Sequence, residues 1–497
     1  MAADWLRATT RAAADGGRAA LAALRHPDQL MTQARKLQQA APLLRQAVTP
    51  ILTGQVTDWA AEHAYTAGVQ AFVYGFPYIY YAQLRHEWVT DPRNSEFVPY
   101  AAVGSFWHAR HLTHASYRDG GSPNNDTLYS MAWLDLRDGP VVLSHPDMGN
   151  RYFTFQIAAV TSDTVDYVGQ RTTGGDAGNF AILGPGWHGQ LPEGIRATQP
   201  SPTPWVLVLG RTAVDGPDDV PAARELQLQY RLTPLASWPE PGAAVPARRD
   251  VYAPAPPGKD PLGPWRTLNA MLAENPPPAR HAVLLEQFTG IGIGPGRDVD
   301  AQPEPVRRGL ARAAATGMAL LRAQFASGNW ATSVNGWRYP PPQMGHFGDD
   351  FLSRAADQCL AGIAVNEPAE AVYLLNFADA DGAPLAPEGH YELRFGAGDL
   401  PPVDAFWSLT AYTAADMNLI PNPAGRYSVG DRTPELRRDP DGGLTLHLQP
   451  GSPGTTRAPN WLSTSAGHPW FVILRLYRPR PQVVQAAWRC PGLRRVS

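Results

Sequence analysis

Residues 1–55 carry apolar side chains at the spacing of an amphipathic helix. Leucine, alanine, valine and isoleucine recur every three or four residues from Leu30 to Ile51, and Pro42 interrupts this seam. The pattern predicts a helical extension that packs against the body of the protein. Two alternatives remain open: contact with a second copy of the chain, which would make a homo-oligomer, and binding to a membrane surface.

Residues 56–90 continue the helical pattern, with Ala60, Ala64, Ala67 and Ala71 on one face. Gly75 and Pro77 follow. Because proline lacks the backbone donor and clashes with the preceding turn, we expect the helix to break at these residues.

Beyond residue 97 the period changes from that of a helix to that of a strand. Short runs of β-branched and aromatic residues, such as 152–157 and 205–209, alternate with glycine, proline, asparagine and aspartate, which is typical of an all-β domain. A stretch rich in proline, alanine and glycine at 240–260 marks a linker. Helical spacing then returns, and strands resume from Ala371.

The order of these patterns predicts a mainly β protein with helical segments, of the α+β multidomain class. We expect two antiparallel β-sandwich or jelly-roll domains joined by a helical region, since a chain of 497 residues is too long for one hydrophobic core. The predicted parts are an N-terminal helical extension at 1–55, a helical lead-in with the first β-sandwich at 56–240, a linker and helical region at 241–365, and the second β-sandwich at 366–497. A turn at Asp379–Gly382 predicts that the first two strands of the second domain form a hairpin.

Composition excludes several classes of protein. Charged residues make up 18% of the chain and the formal net charge is −3, without a basic cluster, so we expect no nucleic-acid partner. No apolar run is long enough for a transmembrane segment, and the N-terminus lacks the basic and apolar regions of a signal peptide. We therefore expect a cytoplasmic location, with export by another route as the alternative.

Lysine and cysteine are scarce, which removes further kinds of site. The lysines are Lys36 and Lys259, in contexts that favour neither a Schiff base nor a phosphate-binding loop. Cys359 and Cys490 have no neighbouring cysteine, so a thiolate zinc site is not predicted, and their pairing with each other is left open. No glycine-rich dinucleotide motif follows a strand. The sequence therefore predicts neither an organic cofactor nor a bound metal.

The segment Pro123–Ser130 concentrates polar residues where a strand would alternate. Asn124, Asn125 and Asp126 favour a turn, because short polar side chains bond their own backbone. The carboxylate of Asp126 either caps that turn or contacts a ligand, and we select it as a candidate catalytic residue.

His108, upstream of this segment, is the second candidate catalytic residue. Its imidazole titrates near neutral pH, and a carboxylate partner would make it a general base. His111 and His114 follow at three-residue spacing, which on a helix would place three imidazoles near one face. Since no anchored carboxylate accompanies them, we predict a solvated surface rather than a metal site.

Two Arg–Tyr pairs, Arg151–Tyr152 and Arg426–Tyr427, are candidate substrate-binding groups. A guanidinium beside a phenol can hold a carboxylate or phosphate, whereas the alternative is an arginine that stacks on a ring or bonds loop carbonyls. The other predicted substrate-binding residues share amide or aromatic side chains that suit the wall of a cleft: Asn124, Asn125, Tyr129, Trp407, Asn460 and Trp461.

Several of these motifs resemble the signatures of two paired domain-of-unknown-function families, numbered 1254 (N-terminal) and 1214 (C-terminal). The motifs are Pro123–Ser130, the two Arg–Tyr pairs, Tyr74-Gly75-Phe76-Pro77 and the run from Gly169 to Gly174. The resemblance covers most of the chain and resumes at Tyr339. It implies two β-sandwich domains with a helical region, and it implies no particular reaction.

We expect an enzyme, of the hydrolase, lyase or isomerase type, that acts on a small organic molecule in a cleft between the two β domains. His108 and Asp126 would transfer protons, and Arg151 or Arg426 would bind the substrate. The alternatives are a non-catalytic protein that binds a small ligand and a structural or interaction protein.

Overall fold

A computed structural model describes residues 58–90, 98–117, 121–238, 240, 251–360, 362–422, 424–465 and 467–496. The helical extension predicted at 1–55 lies outside these residues. The chain divides into two compact units, Met1–Glu62 and His63–Ser497, and the architecture that follows is that of the second unit.

The first β domain is a sandwich of two sheets. The strand order is β1-β2-β8-β4-β5 in one sheet and β7-β6-β3-β9 in the other, and β6 and β7 form a parallel pair. The strands are β1 (Trp107–His108), β2 (Thr127–Asp135), β3 (Val141–His145), β4 (Phe153–Ala159), β5 (Thr164–Gly169), β6 (Gly178–Ile182), β7 (Arg196–Ala197), β8 (Trp205–Ala213) and β9 (Arg231–Pro234).

Alternation along each strand divides the first sandwich into a core face and an outward face. In β4, Phe153, Phe155 and Ile157 enter the core between the two sheets. Thr154 and Gln156 lie on the opposite face, because successive side chains of a strand point to opposite sides of its sheet. The outward face of the five-stranded sheet is thus available to a second layer.

Helices surround and connect the β domains. Their bounds are α1 (Trp59–Thr90), α2 (Val220–Gln227), α3 (Gly263–Glu274), α4 (Ala282–Thr289), α5 (Glu304–Ser327), α6 (Phe351–Leu360) and α7 (Pro481–Val484). The predicted break in α1 is wrong, since the helix continues through Gly75 and Pro77 to Thr90. Tertiary burial outweighs the lost bond there, and the missing side chain of Gly75 lets Leu268 of α3 approach closely.

The second β domain repeats the strand order of the first. Its sheets run β10-β11-β12-β18-β14-β15 and β17-β16-β13-β19, with β16 and β17 parallel. The strands are β10 (Thr332–Val334), β11 (Trp337–Tyr339), β12 (Ala371–Asn376), β13 (Tyr391–Phe395), β14 (Val403–Thr413), β15 (Ser428–Gly430), β16 (Leu444–Gln449), β17 (Trp461–Ser463), β18 (Trp470–Pro479) and β19 (Arg494–Arg495).

Each strand of the first domain thus has a counterpart ten places later in the second, with β10 as an addition. The helices follow the same repeat, because α2 lies before β9 in the first domain and α7 lies before β19 in the second. The molecule therefore contains one sandwich topology twice. This architecture confirms the predicted class, mainly β with helical segments.

The second domain departs from the sequence prediction in two places. The predicted turn at Asp379 is present, with Ala378 and Pro384 in an antiparallel bridge, but the expected pairing of β12 with β13 is wrong, because these strands join different sheets. A turn signal fixes the local reversal of the chain but not the sheet that the next strand joins. In addition, β10 and β11 fall within the predicted helical region 241–365 and extend the sheet of the second domain.

The repeat predicts matched effects of substitution at Gly169 and Gly430, which end β5 and β15. A Cβ at Gly430 would overlap the carbonyl oxygen of Trp407, and one at Gly169 would overlap that of Phe153. We expect Gly430→Ala and Gly169→Ala each to lower the free energy of unfolding by about 1–3 kcal/mol, because backbone must move. Denaturant unfolding is the measurement.

Gly451→Ala is the control, since open space surrounds that position and its backbone suits alanine. It should change stability by less than about 1 kcal/mol. If Gly169→Ala and Gly430→Ala both left the stability unchanged, this would contradict the close approach of the neighbouring strand at these two equivalent glycines.

Candidate functional site

The outward faces of the two large sheets meet and form a polar layer. Hydrogen bonds cross between the domains: Gln156 Nε2 donates to Val365 O at 2.8 Å, and Glu367 N donates to the Tyr167 hydroxyl at 2.9 Å. An aromatic cluster that includes Tyr152 and Phe406, in edge contact at 5.6 Å, closes one side. We call this region the inter-sheet layer.

Each sheet contributes an equivalent row of side chains to the layer. The first row, read across β2, β8, β4 and β5, is Tyr129, Arg211, Thr154 and Gly169. The second row, read across β12, β18, β14 and β15, is Tyr373, Arg475, Ser408 and Gly430. The repeated fold thus places tyrosine, arginine, a hydroxyl and glycine in the same order on both sides.

Arg211 lies at the centre of the first row and is only 4% exposed. Its Nη1 donates to Gln156 Oε1 at 3.1 Å, while Nε is buried without a hydrogen-bond partner. The guanidinium lies 5.6 Å from the centre of the Tyr129 ring. This side chain therefore retains donor capacity within the protein.

Arg475 occupies the corresponding place in the second row and is 2% exposed. Its Nη2 donates to Ser122 O at 2.7 Å, whereas Nε and Nη1 are buried without partners. The guanidinium lies 5.1 Å from the ring centre of Tyr373, as Arg211 does from Tyr129. Removing a guanidinium from water without acceptors is costly, so these donors favour an anion.

Hydroxyl groups add further hydrogen-bonding capacity to the layer. The hydroxyls of Thr154 and Thr410 are buried without partners. The Tyr477 hydroxyl accepts from Asn124 Nδ2 at 2.9 Å, and that of Tyr373 accepts from Asn366 Nδ2 at 3.2 Å. Each tyrosine retains its own proton to donate.

Two tyrosines of the layer, Tyr373 and Tyr477, stay protonated at neutral pH. Burial raises the pKa of Tyr373, and it raises the pKa of Tyr477 well above its usual value. Both therefore act as neutral donors. Tyr129 and Tyr373 are half-buried.

Two reciprocal ion pairs join the domains at the edges of the layer. Arg432, two residues after Gly430, contacts Asp126 of the first domain at 3.1 Å. Arg171, two residues after Gly169, contacts Glu370 of the second domain at 2.6 Å. Asp126 and Glu370 each directly precede the first strand of a row, so the two pairs are equivalent under the repeat.

Asp126, a predicted catalytic residue, is buried and bonded on both oxygens. Ser408 Oγ donates to Oδ2 at 2.6 Å, and Arg432 Nη2 donates to Oδ1 at 3.1 Å. Its equivalent, Glu370, accepts from the Tyr152 hydroxyl at 2.8 Å. These contacts hold the domains together, and a catalytic role for Asp126 stays a prediction.

His108, the other predicted catalytic residue, lies in β1 beside Ser130 and contacts its hydroxyl through Nδ1 at 2.9 Å. Its ring packs near those of Phe106 and Tyr230. Burial lowers the pKa of His108 to about 4, and Arg231 acts in the same direction, so the imidazole is neutral at pH 7. In the part of the chain that the structure describes, no hydrogen bond joins His108 to Asp126.

The histidines that follow His108 do not share a helix face, because the segment from β1 to residue 117 is extended or irregular. His114 Nδ1 contacts the Ser116 hydroxyl at 2.9 Å. Over the described residues, no group of three histidine, cysteine, aspartate or glutamate side chains is arranged to hold a metal ion.

The two predicted arginines contact protein groups outside the two rows. Arg151 binds both carboxylate oxygens of Asp219, at 2.5 and 2.8 Å, and also Ala213 O. Arg426 donates to the carbonyl oxygens of three residues: Ala458, Pro459 and Trp461. The contacts of Arg426 match the alternative interpretation, an arginine that bonds loop carbonyls.

The other predicted residues divide between the layer and the scaffold. Tyr129, Tyr152 and Asn124 lie in or beside the layer. The rest contact scaffold groups. Asn125 donates to Thr113 O, and Trp461 donates to Gln449 O. Asn460 forms hydrogen bonds with the backbone of Arg437 and Thr445. Tyr427 packs in the cluster that contains Tyr412, and Trp407 lies in the core of the second domain.

Sequence reasoning missed Arg211, Arg475 and Tyr373. A signal existed, because each arginine interrupts a strand that is otherwise almost entirely apolar, β8 or β18. A buried strand tolerates a charge only where a partner or a ligand compensates it.

Cys359 and Cys490, whose pairing was left open, are free thiols. None of the described helices is long and apolar enough to cross a membrane.

Residues 103–234 match the family model described as "Protein of unknown function (DUF1254)", and residues 370–481 match that described as "Protein of unknown function (DUF1214)". The two matches follow each other in that order along the chain. The matches confirm the resemblance seen in the sequence. They also coincide with the two sandwiches, from β1 to β9 and from β12 to β18.

One solved structure supports the same architecture. A crystal structure of the VPA0106 protein from Vibrio parahaemolyticus is similar to this chain, with a TM-score of 0.66 and 23% identity over 87% of this chain and 100% of that one. At this identity the likeness shows the fold alone. An uncharacterised protein from Burkholderia cenocepacia matches with a TM-score of 0.40 and 15% identity over 90% of this chain and 98% of that one. No curated protein matches the chain.

Asp126→Asn tests the ion pair between the domains. The substitution removes the charged partner of Arg432 and weakens the acceptor of the Ser408 hydroxyl. We therefore expect it to lower the free energy of unfolding by about 1–3 kcal/mol. Asp404→Asn is the matched control, because Asp404 pairs with Arg480 at the surface and should cost less than about 1 kcal/mol. Equal effects in chemical denaturation would show that the pair of Asp126 does not contribute to stability.

His108 predicts a particular dependence of stability on pH. Its folded pKa, about 4, lies below the usual 6.5, so the folded protein resists protonation. The stabilisation from the neutral ring is complete above pH 6.5 and is lost as the pH falls towards 4. The difference in unfolding free energy between wild type and His108→Asn should therefore shrink over that interval. A difference that does not change with pH would contradict the low pKa, which NMR titration of the imidazole can measure directly.

Proposed function

We propose that this protein binds a small organic anion between its two large sheets, with Arg475 and Arg211 as the groups that hold it. The observation that carries the proposal is the pair of buried guanidinium groups in which Nε of Arg211 and Nε and Nη1 of Arg475 have no hydrogen-bond partner among the described residues. Arginine is suited to this task because its planar fork matches a carboxylate and keeps its charge when buried.

The surroundings of the two arginines favour an anion over a neutral ligand. The acidic side chains beside the layer are already paired: Asp126 and Asp215 with Arg432, and Glu370 and Glu367 with Arg171. Tyr373 and Tyr477 stay neutral, because burial raises their pKa. Within the residues that the structure describes, Arg211 and Arg475 therefore have no direct carboxylate partner in a region of low dielectric, where attraction to an anion is much stronger than in water.

The layer also has the features expected of an organic ligand site. Aromatic rings of Tyr129 and Tyr373 border it and remain partly exposed. The buried hydroxyls of Thr154 and Thr410 offer polar contacts. Sites for small molecules commonly combine such apolar walls with a few convergent polar groups. Proton transfer by His108 and Asp126 is a further step that binding does not require, and it stays a prediction.

We expect Arg475→Met and Arg211→Met to weaken anion binding. The experiment measures thermal stabilisation and then calorimetric affinity of the full chain with acetate, benzoate, succinate, sulfate and phosphate. At least one carboxylate should bind the wild type, and loss of a charge-assisted bidentate contact should lower its affinity about tenfold or more in each variant.

Arg196→Met serves as the control, because Arg196 stacks on Phe180 at the surface of the first domain. It should bind the selected anion as the wild type does. Unaltered affinity in Arg475→Met and Arg211→Met, or an equal loss in Arg196→Met, would contradict the proposed site.

A further inference from the structure

The charge of the inter-sheet layer indicates the number of anionic groups on its ligand. Four arginines border the layer, and two of them form ion pairs: Arg171 with Glu370 and Glu367, and Arg432 with Asp126 and Asp215. Within the described part of the chain, no carboxylate forms an ion pair with Arg211 or Arg475. These two buried guanidinium groups therefore have no direct carboxylate partner in that part of the chain.

We infer that the ligand carries two anionic groups, one for each row, so that its class is a compact organic dianion such as a dicarboxylate. This inference rests on the proposed function. A ligand with a single negative group would leave one buried guanidinium uncompensated, which is unfavourable in a low-dielectric region.

The repeated geometry supports one anionic group for each row. Arg211 and Arg475 occupy the same position in the two sheets, and each lies over the neighbouring tyrosine at a similar distance, 5.6 and 5.1 Å. Each also has its remaining donors buried in the same layer. Two equivalent recognition groups that face one layer suit a molecule with two like ends.

A single phenol lies within electrostatic reach of both guanidinium groups. Burial raises the pKa of Tyr373, while Arg211 and Arg475 both act in the opposite direction. Arg475 lies 5.1 Å from the centre of the Tyr373 ring, and because electrostatic effects fall off with distance, Arg211 on the facing sheet also lies near this tyrosine. A compact ligand can therefore contact both rows.

The neighbouring hydroxyls make the two ends of the site unequal. Thr154 of the first row has no hydrogen-bond partner, whereas Ser408 of the second row donates to Asp126 at 2.6 Å. The free hydroxyl near the second row belongs to Thr410, two residues further along β14. The two rows thus offer equivalent arginines, whereas the hydroxyl groups beside these arginines differ between the rows.

The test compares matched acids by isothermal titration calorimetry with the full chain. The dicarboxylates are malonate, succinate, glutarate and adipate, and the monocarboxylates with the same number of carbons are propionate, butyrate, valerate and hexanoate. We expect the best dicarboxylate to bind at least about tenfold more tightly than its matched monocarboxylate, since it forms a second charge-assisted contact.

The arginine variants then identify which row holds each carboxylate. In Arg211→Met and in Arg475→Met the advantage of the dicarboxylate should disappear, so that its affinity falls to that of the monocarboxylate. Arg196→Met should keep the wild-type ratio. Circular dichroism of each variant confirms that it is folded before affinities are compared.

The outcomes distinguish this inference from the proposed function. If wild type binds matched mono- and dicarboxylates equally and both require Arg475, the site binds an anion but the two-group inference is wrong. If Arg211→Met leaves the ratio unchanged, only one row binds the ligand and the inference is also wrong. If no acid of either series binds, the proposed function fails and the inference fails with it.

Discussion

The burial of two guanidinium groups, of Arg211 and Arg475, is the constraint that shapes the inter-sheet layer. Each group lies at the centre of a sheet, where an apolar residue would pack at lower cost, and each keeps N–H donors without protein acceptors. A protein that retains such costly groups commonly does so for function, since strained or under-satisfied positions concentrate at sites of binding. The surrounding contacts hold the two sheets so that these groups face one shared layer.

Repetition of one sandwich explains how the layer is built. Because the strand order recurs, equivalent positions supply tyrosine, arginine, a hydroxyl and glycine from each side. The same equivalence generates the ion pairs Arg432–Asp126 and Arg171–Glu370, in which each domain provides one acid and one base to the other. These pairs neutralise the edge of the layer, so the charges at its centre are those that remain available to a ligand.

The sequence contains much of the fold and less of the site. Strand alternation and turn residues predict two β-sandwiches correctly, because local periodicity reports which face of a strand is buried. Local signals failed where tertiary packing decides the outcome, as at Pro77, which the buried helix accommodates, and at the Asp379 turn, which leads to another sheet. Arg211 and Arg475 mark the outward faces of their strands, but no local pattern shows that these two faces meet. The polar pattern around Asp126 predicts either a turn cap or a ligand contact, and the structure gives its carboxylate two partners from the other domain.

The central claim is that Arg211 and Arg475 serve a ligand rather than the stability of the fold, and unfolding of the ligand-free protein tests it most directly. The double variant Arg211→Met/Arg475→Met replaces two uncompensated buried charges by apolar side chains of similar length, so its free energy of unfolding should equal or exceed that of the wild type. Arg171→Met provides the contrast, because it leaves the buried Glu370 carboxylate unpaired and should destabilise the protein. A fall of about 3–5 kcal/mol in the double variant, comparable to breaking a buried ion pair, would contradict the account and assign both arginines to the scaffold.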